Sequence, residues 1–253
     1  MYVTGTEIWN SWSNMAFIIV GIAGIVERSW RWQRETEIGT GKGRESEKVF
    51  HELLTSPTPA FLLCDLLIIT VGVGSYLFHS TRLYVWQLSD ELPMSLLLAG
   101  YSWVQREIYL RDKDGEGWDE RKRRRFLSTL LSYLYALLLI CSWYGYLVLQ
   151  NHSLFVSFFS VQIGFTIGAY VLGGKFQGTS AGWHHEIASM ACMIAGKALW
   201  ELERDLYKEG RCPVDWGNVE YYLHAWWHVF SAAGHYYCCV ILSVRGLQFY
   251  NGV

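Results

Sequence analysis

The stretch Gly74–Met94, GSYLFHSTRLYVWQLSDELPM, sets Ser75, His79, Asp90 and Glu91 between two long apolar runs. Those runs, 58–79 and 84–105, are each long enough to cross a bilayer as a helix, which takes roughly 20 mostly apolar residues. The polar residues between them therefore belong to a membrane edge or to the interior of a helix bundle. Working outward, five more such stretches follow, at 8–26, 127–149, 153–173, 183–201 and 221–243. The charged residues cluster between them, and only 17% of the 253 residues are charged while 51% are hydrophobic. Seven spans in a chain of this length leave almost no room for a soluble domain. The expected fold is all-α: a single seven-transmembrane-helix bundle over residues 1–253. No internal repeat and no cleavable signal peptide is evident, and the first span can serve as its own signal.

Lysine and arginine set the orientation. The loops 27–57 and 106–126, with Lys175 and Arg245, place sixteen of them on one side. The other side receives Arg82, Arg204, Lys208 and Arg211. The richer side faces the cytosol, so the N-terminus is expected in the lumen and the C-terminus in the cytosol. The run RKRRR at 121–125 could suggest nucleic acid. Beside a span it reads instead as a topology anchor that also meets anionic lipid headgroups. The segment GTGKGRESEK (39–48) lacks the spacing of a phosphate-binding loop.

With this topology, polar residues from three spans reach a similar depth. Ser75 and His79 lie at the luminal end of the second span, four apart and on one helix face. Asp90 falls in the first two turns of the third. The seventh opens with HAWWH, carrying His224 and His228, again four apart. Ionisable residues are costly in a bilayer and mark functional sites. Two histidines at i and i+4 present their rings to one metal. With a third histidine they make the three-ligand set of a catalytic zinc, with one position open to water. A carboxylate such as Asp90 can orient that water or take its proton, and the Ser75 hydroxyl can donate to a developing oxyanion.

Each residue also has a plainer reading. His79 can be a hydrogen-bonded interior histidine, and Ser75 can bond back to its own helix. Asp90 and Glu91 can cap the third span. His224 and His228 can be an interfacial pair, with Trp226 and Trp227 in an aromatic belt. Their common depth and spacing favour the metal. His184, His185 and Glu186 open the sixth span at the cytosolic side and read as interfacial. His235 lies two turns below His228 and has no assigned role.

Four blocks, EIWNSWSN (7–14), GSYLFHST (74–81), QLSDELPM (87–94) and HAWWH (224–228), resemble in order the signatures of the alkaline ceramidases. These are seven-helix membrane amidases in a superfamily that includes the adiponectin receptors. The resemblance implies that His79, His224 and His228 bind zinc, that Asp90 engages the zinc-bound water and that Ser75 stabilises the oxyanion. It implies hydrolysis of ceramide, or of phytoceramide or dihydroceramide, to a sphingoid base and a fatty acid in endoplasmic reticulum or Golgi membranes, with a luminal active site. It further implies a calcium site near the first span, to which Glu7 corresponds. The acidic segment that would complete that site has no counterpart before the first span, so weak or no calcium binding and a longer form of the chain are expected, the alternative being a branch of the family that does not use calcium. The family's Trp-Asn-x-Asp reads Trp200-Glu201-Leu202-Glu203 here.

Two other functions fit the same span pattern: a receptor-like protein of the adiponectin-receptor type with structural zinc, and a haem-binding bundle. Haem needs two histidines and gives no role to Ser75 or Asp90. Cys64, Cys141, Cys192, Cys238 and Cys239 fall in spans and read as buried apolar residues. Cys212 falls in a luminal loop, where a disulfide is permitted.

Overall fold

A computed structural model describes residues 5–39, 58–112, 118–173, 183–210 and 222–250. Among the described residues there are eight helices and no strand. They are α1 (Gly5–Ser13), α2 (Met15–Gly39), α3 (Thr58–Thr81), α4 (Tyr84–Asp112), α5 (Trp118–Leu149), α6 (His152–Gly173), α7 (Trp183–Lys208) and α8 (Leu223–Tyr250). They cover all seven apolar stretches. Among the described residues three segments, Ile8–Trp30, Phe61–Thr81 and Trp118–Leu149, are long and apolar enough to cross a membrane. The apolar stretches of α4, α7 and α8 carry Asp90 and Glu91, Lys197 and Glu201, and three histidines.

The first stretch is not one helix. The buried Asn14 side chain donates to the Asn10 carbonyl at 2.7 Å, and the Asn14 backbone N–H turns to Ser11 at 3.2 Å. An asparagine side chain that competes for a helical carbonyl interrupts the ladder. The rod therefore breaks between α1 and α2.

The chain divides into two compact units, Met1–Met94 with Thr179–Val244, and Ser95–Gly178 with Arg245–Val253. In the first unit α2 packs closely on α3. A Cβ at Gly21 would lie 2.8 Å from the Asp65 carbonyl oxygen, so only glycine allows the approach. Between helices in lipid there is little hydrophobic drive, and small residues let dispersion and polar contacts hold them together. Asp65 lies buried inside the 58–79 run and accepts from Arg28 Nε at 2.7 Å and from its Nη2. Arg28 can reach it because α2 continues past the expected span end at 26, so this arginine is a helix residue and not part of a loop. On the other flank, Trp200 of α7 stacks on Trp227 of α8, with ring centroids 5.4 Å apart. Trp227 is buried and Trp226 exposed, so one tryptophan of the expected interfacial pair serves packing instead.

In the second unit, Trp143 and Tyr146 of α5 meet Phe155 of α6 at 5.8 and 5.7 Å between centroids. Arg106 of α4 donates to Thr129 of α5 at 2.9 Å. The outer face of α5 leaves Leu130, Leu131, Leu134, Leu137, Leu138 and Ile140 exposed. Water would make such a continuous apolar surface an aggregation site, whereas lipid solvates it. Cys64 and Cys238 are buried as expected, but Cys141 is exposed on α5.

Candidate metal centre

The site lies within the first unit, where α1, α3, α4, α7 and α8 each contribute a residue. One position decides how α3 meets α4. A Cβ on Gly74 would collide with the Ser89 carbonyl oxygen and lie 2.9 Å from the Asp90 nitrogen. Pro93, inside α4, has no N–H to offer the carbonyl four residues back, which is that of Ser89. A glycine on one helix and a released carbonyl on the other thus permit backbone contact. The residues that follow, Ser75 and Asp90, are brought together by it. The buried Ser75 hydroxyl makes no bond to its own helix, unlike Thr70, Ser80 and Thr81. Its neighbour is the Asp90 carboxyl group, which also interacts with Glu91 and with His224. Asp90 is not a helix cap: α4 begins six residues earlier, at Tyr84.

His79, at the end of α3, meets the two histidines of α8. Ring centroids lie 4.9 Å apart for His79 and His224, 5.3 Å for His79 and His228, and 4.7 Å for His224 and His228. One ligand atom from each of the three lies within 4.8 Å of the others, so the group could hold a metal ion. Among the described residues it is the one such group. His79 and His228 are buried and His224 half-buried.

The outer partners of the imidazoles come from helices that sequence reasoning did not connect to the site. Ser13, the last residue of α1, donates to the Asn10 carbonyl at 3.0 Å. Its oxygen lies 2.8 Å from His228 Nδ1 and can accept from it in the tautomer protonated there. On the other side, Glu203 Oε2 of α7 lies 2.7 Å from His224 Nδ1. Both bonds occupy Nδ1 and leave Nε2 of each ring as the ligand atom. Orienting bonds of this kind are characteristic of histidines that bind a metal. Three neutral nitrogens with one position open match the donor set of catalytic zinc. The residues present fit the metal that the histidine spacing implied.

The remaining expectations fall elsewhere. His185 stacks on Tyr237 at 5.8 Å, near the opposite end of α7 from Glu203. His235 is buried beside Phe17, 6.3 Å between centroids. Glu7 is in α1, but its side chain lies outside the described residues, as does Cys212. The sequence did hold a signal for Glu203. Trp200-Glu201-Leu202-Glu203 sits where the resembling family carries a tryptophan motif ending in aspartate. Ser13 carried none, because a serine in an aromatic helix ordinarily bonds its own backbone.

Comparison with known proteins gives a concordant result. The family model described as Ceramidase matches residues 2–248. A Dictyostelium discoideum protein named as an alkaline ceramidase, dcd3A, is 28% identical over 263 aligned positions, covering 96% of this chain and 81% of that protein. A second from the same organism, dcd3B, is 29% identical over 126 positions, covering 50% of this chain and 42% of its own length.

Proposed function

We propose that this chain, which belongs to the ceramidase family and so to the hydrolases acting on amide bonds, cleaves the amide of a ceramide-type lipid in a zinc-dependent reaction inside the membrane. The products are a sphingoid base and a free fatty acid. The observation that carries the reading is the convergence of His79, His224 and His228, with Asp90 and Ser75 beside them. Zinc held by the three histidines supplies Lewis-acid polarisation of the substrate carbonyl and of the attacking water. Asp90 takes the proton from that water as its oxygen bonds to the carbonyl carbon. The Ser75 hydroxyl donates to the carbonyl oxygen as negative charge builds there. Asp90 then returns the proton to the amide nitrogen as the carbon–nitrogen bond breaks, the ordinary double duty of a positioned acid–base group.

The reading extends to the whole chain as one domain of seven crossings, with the N-terminus and the site on the luminal side of an endoplasmic reticulum or Golgi membrane. The excess of lysine and arginine in segments 27–57 and 106–126 supports that orientation. Glu7 is the residue of this chain that a calcium ion near the first span would engage.

The test is fatty-acid release by the purified chain from a panel of ceramide, dihydroceramide and phytoceramide, at neutral to alkaline pH and with zinc present. Release from at least one, abolished by a zinc chelator and restored by zinc, is expected. Zinc bound but no release from any of them would favour the receptor-like alternative.

A further inference from the structure

We infer that Glu203 is the positioning carboxylate of the metal centre: it holds His224 in the tautomer and orientation that presents Nε2 to zinc. The inference rests on the zinc reading above and goes beyond it, by assigning a role to a residue outside the ligand set and outside the Ser75–Asp90 pair.

Two acidic residues stand close together at the end of α7, and they do different things. Glu201 accepts from Lys197 at 2.6 Å and from Arg204 at 3.2 Å. The two cations belong to Glu201's own helix, at i−4 and i+3, a local pairing that ties α7 to nothing else. Glu203 is two residues on, and side chains so spaced leave a helix on different faces. It crosses to α8 and meets His224 Nδ1 at 2.7 Å. The crossing is possible because Trp200 and Trp227 stack and bring the end of α7 against the start of α8.

His224 is in the first turn of α8, where neighbouring backbone gives an imidazole little restraint. It is also the most exposed of the three ligands, since His79 and His228 are both buried. Packing therefore fixes His224 least, and a hydrogen bond has most to contribute. A carboxylate accepting the Nδ1 proton excludes the tautomer protonated at Nε2, in which Nε2 is closed to the metal. It also raises the basicity of Nε2. Loss of such a partner typically lowers metal affinity about 10–100-fold. At His228 Nδ1 the side-chain partner is a neutral hydroxyl, that of Ser13. The charged partner thus serves the ligand that is least held by its surroundings.

The experiment measures zinc affinity of the full purified chain by competition with a chromophoric chelator, in the wild type and in Glu203→Ala, Glu203→Gln and Glu201→Gln. Glu203→Ala should bind zinc about 10–100-fold more weakly. Glu203→Gln should fall between Ala and the wild type, because its amide oxygen still accepts from Nδ1 but carries no charge. Glu201→Gln should bind as the wild type does. The zinc-free proteins should melt at the same temperature, since Glu203 is proposed to act through the metal. Cobalt(II) in the zinc site should show a shifted visible absorption in Glu203→Ala. Should Glu203→Ala fail to fold, the isosteric Glu203→Gln decides. Wild-type affinity in both Glu203 variants overturns the positioning role and leaves the zinc reading intact. A wild-type chain with no zinc affinity overturns both.

Discussion

His228 Nδ1 and Ser13 Oγ lie 2.8 Å apart, joining the start of α8 to the last residue of α1 across 215 positions of sequence. With the serine hydroxyl donating to the Asn10 carbonyl, its oxygen accepts from the imidazole in the tautomer protonated at Nδ1. Ser13→Ala should weaken zinc binding, but less than Glu203→Ala, because a neutral acceptor is lost and His228 stays packed. A loss of no more than about 10-fold is expected from the lower end of outer-partner effects. Zinc titration of the variant measures it, and a larger loss than in Glu203→Ala would reverse the ranking.

His224→Ala should remove bound zinc, read as metal per protein, and abolish hydrolysis. Two ligands cannot hold zinc against competition as three do. Retained zinc together with full activity would end the metal assignment.

Asp90→Asn should keep zinc and lose activity by about 10²–10⁴-fold, the usual worth of a positioned acid–base group. Ser75→Ala should lose about 10²–10³-fold, as for one oxyanion donor. Metal content and initial rates, measured on the same preparations, separate the roles. Zinc lost from Asp90→Asn would make it a ligand, and a normal rate in Ser75→Ala would remove the hydroxyl from the mechanism.

Activity should be full at neutral to alkaline pH and fall on the acid side. Zinc binding requires neutral imidazoles, so protons compete with the metal, and affinity decreases on the acid side and is full on the alkaline side. A pH–rate profile with parallel zinc determination checks this. A maximum near pH 5, well below that range, would contradict the mechanism.

Gly74→Ala should damage the site from a distance. The added Cβ collides with the Ser89 carbonyl in the backbone of α4, which cannot turn aside as a side chain can. Overpacking of this kind typically costs about 1–3 kcal/mol, and the shift of α4 also separates Ser75 from Asp90. A lower melting temperature and a rate loss with zinc retained are expected. Wild-type values for both would mean that α3 and α4 do not depend on this contact.

The three clustered histidines and the two polar residues near them were legible as candidates in sequence because their signals are local. Ser75 with His79, and His224 with His228, are four residues apart, and helical geometry alone puts each pair on one face. Apolar run length located the helices but not their ends. What joins one helix to another was not legible. The break at Asn14 depends on which carbonyl a buried amide captures. The reach of Arg28 to Asp65 depends on α2 running past the end of its apolar stretch. Trp227 could not be distinguished from Trp226 until Trp200 was seen to stack on it.

The amino-acid sequence by itself determined that the chain is helical, that its polar residues are too few and too costly in lipid to be incidental, and which of them could converge. Only the tertiary structure brought partners to Nδ1 of His224 and His228. They are Glu203 and Ser13, 21 and 215 positions away along the chain. A tautomer is set by whichever acceptor sits at the far side of the ring, and periodicity along one helix carries no information about an acceptor supplied by another.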